Sequence, residues 1–128
     1  MPDSHRAATI ALCNSHDLLE GGLAVPFDVV YGSQTCRAFA IRFKGVAHAY
    51  LNRCTHVAME MDYQPNHLFD DSGQWLICAT HGAHYAPETG ICSGGPCRGG
   101  LVKIDVTEAD GVISWHTAYN LKPFEFLD

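Results

Sequence analysis

Apolar and polar positions alternate with a period of two over much of the chain, the pattern of strands with one buried face. The apolar run Ala7–Cys13 predicts a first strand, and Ser15 starts a helical turn that reaches Glu20 before Gly21-Gly22 ends it. Ala24–Tyr31 places Phe27, Val29 and Tyr31 on one face. Arg37–Phe43 sets Ala38, Ala40 and Arg42 opposite Phe39, Ile41 and Phe43. Lys44-Gly45 predicts a tight turn that returns the chain as a strand over Val46–Leu51. Near the C-terminus Leu101–Val106 and Val112–His116 alternate again, with a turn over Glu108–Gly111 between them.

The stretch from Arg53 to Gly99 differs in texture. It carries four of the six cysteines, four of the eight histidines and three of the six prolines. Short strands fit only at Gln74–Ile77 and His84–Pro87, and Asp70–Gly73 and Glu88–Gly90 read as turns. A segment so rich in loops buries little apolar surface by itself, so a metal centre is expected to hold it. Two β-rich flanks around a metal-bearing insert define an all-β chain. The expected organisation is a single domain over residues 1–128 with an antiparallel, sandwich-like base.

Composition narrows the function. At 128 residues, 47% hydrophobic and 17% charged, the chain has the profile of one folded domain and not of a disordered segment. A formal charge of −6 disfavours nucleic acid and anionic membrane surfaces as partners. No run approaches the ~18 apolar residues of a membrane span. The N-terminal apolar run reads better as a strand than as a signal peptide. Cytoplasmic residence, with thiols reduced and open to metal, is the expectation.

The chemistry lies in two short motifs, Cys54-Thr55-His56 and Cys78-Ala79-Thr80-His81, separated by 21 residues. Each loop offers one thiolate and one imidazole. A lone zinc ion accepts such a Cys2His2 set, but zinc sites usually pair like ligands within a loop. Mixed loops suit a two-iron cluster with cysteines on one iron and histidines on the other.

These residues resemble the Rieske pattern Cys-x-His…Cys-x-x-His-Gly, which Gly82 completes. The resemblance continues through His84-Tyr85-Ala86-Pro87, Thr89-Gly90 and Gly94-Gly95-Pro96, and is strong over Asn52–Gly99. It implies a Rieske fold with the cluster-binding subdomain at about residues 52–99. It implies a 2Fe-2S cluster held by the sulfurs of Cys54 and Cys78 on the inner iron and by His56 and His81 on the outer. Gly82, Ala83, Tyr85, Gly95 and Pro96 would line the cluster. Two ferric ions, two sulfides and two thiolates sum to zero charge, so an added electron costs less than in a four-cysteine cluster.

The same resemblance implies a free-standing electron carrier like the Rieske-type ferredoxins of bacterial ring-hydroxylating systems. It would take single electrons from a flavin-dependent reductase to a terminal oxygenase. Such a carrier catalyses nothing itself and works as a monomer in transient complexes. The small subunit of a nitrite-reductase-like complex is an alternative, and a zinc-bound interaction module is one from a different class. A catalytic oxygenase needs a second domain for mononuclear iron, and quinol-oxidising relatives need an anchor and a clamping disulfide. Positions matching that clamp fall near Met59 and Thr80, neither of them Cys.

Other conspicuous residues have plainer expectations. Cys13 and Cys36 read as small buried hydrophobes. A Cys92–Cys97 bridge near the proline loop stays open. His84 is expected at the surface or beside the cluster, and His5, His16, His48, His67 and His116 lack ligand spacing. Trp75 and Trp115 are expected in the core, and Glu60 and Asp62 on a solvated acidic edge.

Overall fold

A computed structural model describes residues 8–53, 60–62, 64–79, 82–95 and 99–123. Eleven strands run in chain order among them. They are β1 (Thr9–Asn14), β2 (Val25–Tyr31), β3 (Gln34–Phe43), β4 (Val46–Leu51), β5 (Leu76–Ile77), β6 (His84–Tyr85), β7 (Cys92–Gly94), β8 (Lys103–Ile104), β9 (Val106–Ala109), β10 (Val112–His116) and β11 (Leu121–Pro123). All strand pairings are antiparallel, in sheets ordered β1-β10-β9, β11-β2-β3-β4-β8 and β5-β6-β7. The all-β expectation holds.

The central hairpin β3–β4 lies between two cores and contributes one face to each. Its register pairs Phe39 with Tyr50, Ala40 with Ala49 and Ile41 with His48. One face carries Ala38, Ala40, Ala47, Ala49 and Leu51, which pack with Ile113, Trp115 and Leu18 of the β1-β10-β9 side. Four alanines leave room for the second sheet to lie close, and the ring of Trp115 stands 5.4 Å from that of Phe27. The opposite face carries Phe39, Ile41, Phe43 and Tyr50, which pack against Met61, Leu68, Leu76, Cys78, Ala83 and Tyr85. The alternation along Arg37–Phe43 thus assigns small residues to the sandwich and large ones to the insert.

That second core adds a support beside the expected metal centre. The insert does bury apolar surface, because it borrows the large face of β3–β4 instead of building a core alone. Tyr50 is the principal join. Its hydroxyl donates to the Pro87 carbonyl at 2.7 Å, and burial pushes its phenol pKa up. A Cβ on Gly90 would sit 2.6 Å from the Tyr50 ring, so only glycine lets that turn, at φ +77, close over the aromatic. Lys103 covers the ring from outside, 5.2 Å from its centre, while donating to the Glu88 carbonyl at 3.2 Å.

Other boundaries shift for identifiable reasons. The predicted helical turn shrinks to a 3-10 turn over Ser15–Asp17. Arg42 fixes this turn and its exit, because its guanidinium donates to the carbonyls of Leu18 at 2.7 Å and Ser15 at 3.0 Å. The first strand begins at Thr9, two residues later than Ala7, and the predicted strand Leu101–Val106 breaks into β8 and the start of β9. The turn expected over Glu108–Gly111 tightens to Asp110 and Gly111, both at positive φ. The Lys44-Gly45 turn is as expected, with φ of 54° and 81°. Glu20 secures it by accepting from both amides, at 2.6 and 2.8 Å. β11 was not legible in the pattern; its pairing with β2 supplies the reason it forms. Trp115 is buried as expected, but Trp75 is not a core residue. It is 37% exposed, because Leu76 beside it takes the inward position and alternation turns Trp75 outward.

Both joins can be tested by substitution. Arg42 also holds the Glu108 carboxylate through both terminal nitrogens, at 3.0 and 2.8 Å. That bonding keeps the Glu108 pKa below its ordinary value, so it stabilises the fold above pH ~4.5 and its contribution is lost as pH falls through the lowered value. Glu108→Gln should cost about 1 kcal/mol or less at pH 7 and make the acid decline in stability shallower. Arg42→Met, which also removes the donor to the carbonyls of Ser15, Leu18 and Gly45, should cost about 2–3 kcal/mol. Urea melts at pH 7 and pH 4 measure both effects. At the other join, Tyr50→Phe should cost about 1–2 kcal/mol by leaving the Pro87 carbonyl unmet. Gly90→Ala should cost more, since it adds a clash to a left-handed backbone. Thermal unfolding gives the order.

Candidate metal centre

The second ligand loop begins where β5 ends. Cys78 is a reduced, fully buried thiol set among the apolar side chains of the insert core. Its amide donates to the Ala83 carbonyl and its own carbonyl accepts from Gly82, both at 2.8 Å. Those two bonds close a hairpin loop between β5 and β6, and Gly82 makes the turn at φ +76. Sequence spacing requires such a loop if Cys78 and His81 are to face one site.

A third loop lies directly on the second. A Cβ on Gly95 would meet the Ala83 Cα and the Gly82 oxygen at 2.9 Å each, and its φ is +83°. The Gly94-Gly95 pair therefore allows backbone to touch backbone above the Cys78 hairpin. Ala83 and Tyr85, expected to line the cluster, are both fully buried. Cys92, next to this loop on β7, is disulfide-bonded, and its partner lies outside the described residues.

The stem of the first ligand loop is closed by a residue that motif reading overlooked. Asn52 is 5% exposed and stands two positions before Cys54. Its amide donates to the Arg37 carbonyl at 2.8 Å, which anchors it to β3. Its side-chain oxygen accepts from the Met61 amide at 2.7 Å, and its side-chain nitrogen donates to Asp62 at 2.8 Å. Asp62 in turn accepts from the Asn66 amide at 2.7 Å. One buried amide thus draws together the chain entering the loop and the chain leaving it. The Ala79 amide completes the link by donating to the Met61 carbonyl at 2.9 Å, so the two ligand loops share a frame. A buried Asn just before the motif is the only signal the sequence holds. Asp62 is accordingly no part of a solvated edge but a member of this clamp; Glu60 is exposed as expected.

His84 sits on β6 with its Nε2 3.7 Å from Asp70, and is partly exposed, in line with a surface role. Partial burial would raise the Asp70 pKa, but hydrogen bonds from Ser72 and from the Trp75 backbone outweigh it and hold the carboxyl below its usual value. Cys13 and Cys36 are reduced and half-buried beside the sandwich core, consistent with packing roles.

Cys54, His56, His81, Pro96 and Cys97 lie outside the described residues. Among the described residues no three metal-binding side chains converge, as expected when only Cys78 of the four anticipated ligands is among them. The residues present fit a cluster: a reduced buried thiol, a tight loop presenting it, and a glycine loop pressed against that loop. Among the described residues no helix is long and apolar enough to cross a membrane.

Comparison with known proteins agrees with this architecture. A family model described as the Rieske [2Fe-2S] domain matches residues 8–109. The ferredoxin of carbazole 1,9a-dioxygenase from Nocardioides aromaticivorans IC177 superposes with a TM-score of 0.65 at 17% identity, covering 84% of this chain and 96% of that one. Sphingomonas yanoikuyae B1 ferredoxin gives 0.64 at 22% identity, with 84% and 97% covered. The terminal oxygenase of carbazole 1,9a-dioxygenase from the same Nocardioides strain gives 0.65 at 19%, with 94% of this chain but 35% of that one covered. At such identities the likeness is one of fold. A sequence search of curated proteins finds no match. A 2Fe-2S cluster is the prosthetic group of the matched domain, and the chain belongs to the Rieske [2Fe-2S] family.

Proposed function

We propose that this protein is a one-electron carrier whose cluster is held by Cys54 and Cys78 through sulfur and by His56 and His81 through imidazole nitrogen. The observation that carries the reading is the placement of Cys78. Reduced, buried and framed by backbone hydrogen bonds, it occupies the position that the Cys-x-His…Cys-x-x-His-Gly pattern reserves for a ligand. The cluster supplies a metal site that accepts and returns one electron. The chain supplies the rest: two loops tied at Met61, a glycine contact that excludes side chains above Cys78, and an apolar shell that keeps water from the sulfur. The partners that suit such a carrier are a flavin-dependent reductase and a terminal oxygenase in the cytoplasm. Resemblance in fold to the two ferredoxins, over 84% of this chain, supports a carrier that catalyses nothing alone.

Two experiments test this. His81→Ala should abolish the Rieske-type visible and EPR spectra. The β-sheet core should survive it, because the alanine face of β3–β4 packs on Leu18, Ile113 and Trp115, on the side away from the insert. Retention of the spectra would overturn the ligand assignment. For tuning, a hydroxyl donating to a cluster or cysteine sulfur favours the reduced form, whose sulfurs carry more charge. Tyr85→Phe should lower the midpoint potential by about 40–90 mV if it removes a bond worth about 1–2 kcal/mol more in the reduced state. Ala83→Ser should raise it. Protein-film voltammetry of the three proteins reads both shifts.

A further inference from the structure

A cleft of about 360 Å³ opens at the shoulder of the first ligand loop, lined by Gln34, Thr35, Arg37, Asn52, Arg53 and Glu60, with the Cys36 thiol beside them. Its chemistry is rich in donors. The Arg53 side chain is exposed and makes no hydrogen bond or ion pair with any described residue. Arg37 contacts Asp28 through its Nε alone, at 3.2 Å, which leaves both terminal nitrogens of that guanidinium available. The Thr35 hydroxyl and the Gln34 amide add uncharged donors, and Glu60 stands as the one carboxylate on the wall.

The location matters as much as the chemistry. Arg53 immediately precedes Cys54 in the chain, and Asn52 beside it is locked to β3 and to Met61. The Arg53 backbone thereby follows directly on the clamp that joins Asn52 to β3 and Met61. On a chain of formal charge −6, with eight basic residues in all, an uncommitted guanidinium at this point is unlike its surroundings. The other basic side chains near structural joins are occupied: Arg42 by Glu108 and three carbonyls, Lys103 by Tyr50 and Glu88.

We propose that this cleft is a docking notch for a carboxylate of the electron-transfer partner, gripped by Arg53 and the free edge of Arg37. The proposal rests on the one-electron carrier reading above. Planar guanidinium edges match carboxylates in pairs. A contact here would set the orientation of the partner against the first ligand loop, while the acidic remainder of the surface steers at longer range.

The test uses the cluster-loaded protein and charged outer-sphere oxidants. Ferricyanide, an anion, and hexaammineruthenium(III), a cation, are each mixed with reduced protein at low ionic strength. Arg53→Gln should slow ferricyanide by roughly two- to fivefold and speed the ruthenium complex, with both effects fading near 1 M salt. Arg53→Lys should restore most of the wild-type behaviour. Lys44→Gln is the control. It changes net charge equally, but lies at the β3–β4 turn, about 23 Å along β3 from Arg37. Equal shifts for Arg53→Gln and Lys44→Gln, or none for Arg53→Gln, would overturn the notch.

A second readout needs no electron transfer. Hexaglutamate titrated into wild-type protein should move the amide resonances of Gln34–Arg37 and Arg53, and Arg53→Gln should abolish this. Resonances that stay fixed in the wild type would also overturn it. Should the protein lack a Rieske spectrum, the carrier reading falls, whereas these resonances still decide the notch.

Discussion

The structure depends on the two-faced hairpin β3–β4. Each strand is buried on both sides, yet the two sides solve different problems. The alanine face admits a second sheet at close range, while Phe39, Ile41, Phe43 and Tyr50 reach into the insert. Without those large side chains the described residues Met61, Leu68, Leu76, Cys78, Ala83 and Tyr85 of the insert would lose the face they pack against. Burying one such side chain contributes about 1.5–3 kcal/mol, so the shared face supplies a large part of what holds the insert. Metal and packing then cooperate. Much of the described frame of the insert rests on β3–β4.

Polar clamps complete what packing begins. Loops around a metal centre cannot use ladder hydrogen bonds throughout, and a buried backbone group left unmet costs about 1–3 kcal/mol. Asn52 satisfies the Met61 amide and positions Asp62, which satisfies Asn66 in its left-handed conformation. Ala79 and Cys78 find backbone partners in the neighbouring loop. Every buried side-chain nitrogen and oxygen among the described residues has a partner. The result is a stiff setting around Cys78, which suits a centre that changes charge by one unit without needing to rearrange the protein.

How much of this was legible in the sequence depends on the range of each interaction. Period-two alternation located β2, β3, β4 and β10, because a strand's inward face is written locally. The Asp70–Gly73, Lys44-Gly45 and Glu88–Gly90 turns were legible because left-handed backbone selects Gly and tolerates Asp or Lys at one position. The ligand pattern named four candidate metal-binding residues from spacing and donor type. What escaped is what only tertiary contact decides. Trp75 looks like core until Leu76 claims the inward side. Asp62 looks like a solvated acid until Asn52 reaches it across ten positions. β11 has no pattern of its own and exists because β2 offers an edge. In the insert, β5 and β6 fall within the stretches Gln74–Ile77 and His84–Pro87 expected for them, whereas β7 is too short for periodicity to mark.

Glycine placement joins the site to the fold. At Gly90 the missing Cβ lets the chain close over Tyr50, and at Gly95 it lets one loop rest on the backbone of the Cys78 hairpin. The first contact fixes the insert to the sheet, and the second fixes the roof of the site to its floor. Both occur at positive φ, so an added side chain would meet strain and collision together. The insert therefore has two points at which its geometry cannot relax, one in the turn after β6 and one just past β7. Ala83 lies against Gly95, and Tyr85 is buried two residues further along. The backbone that carries Cys78 is thereby held from two sides, by the hydrogen bonds of its own hairpin and by the Gly95 loop that rests on it.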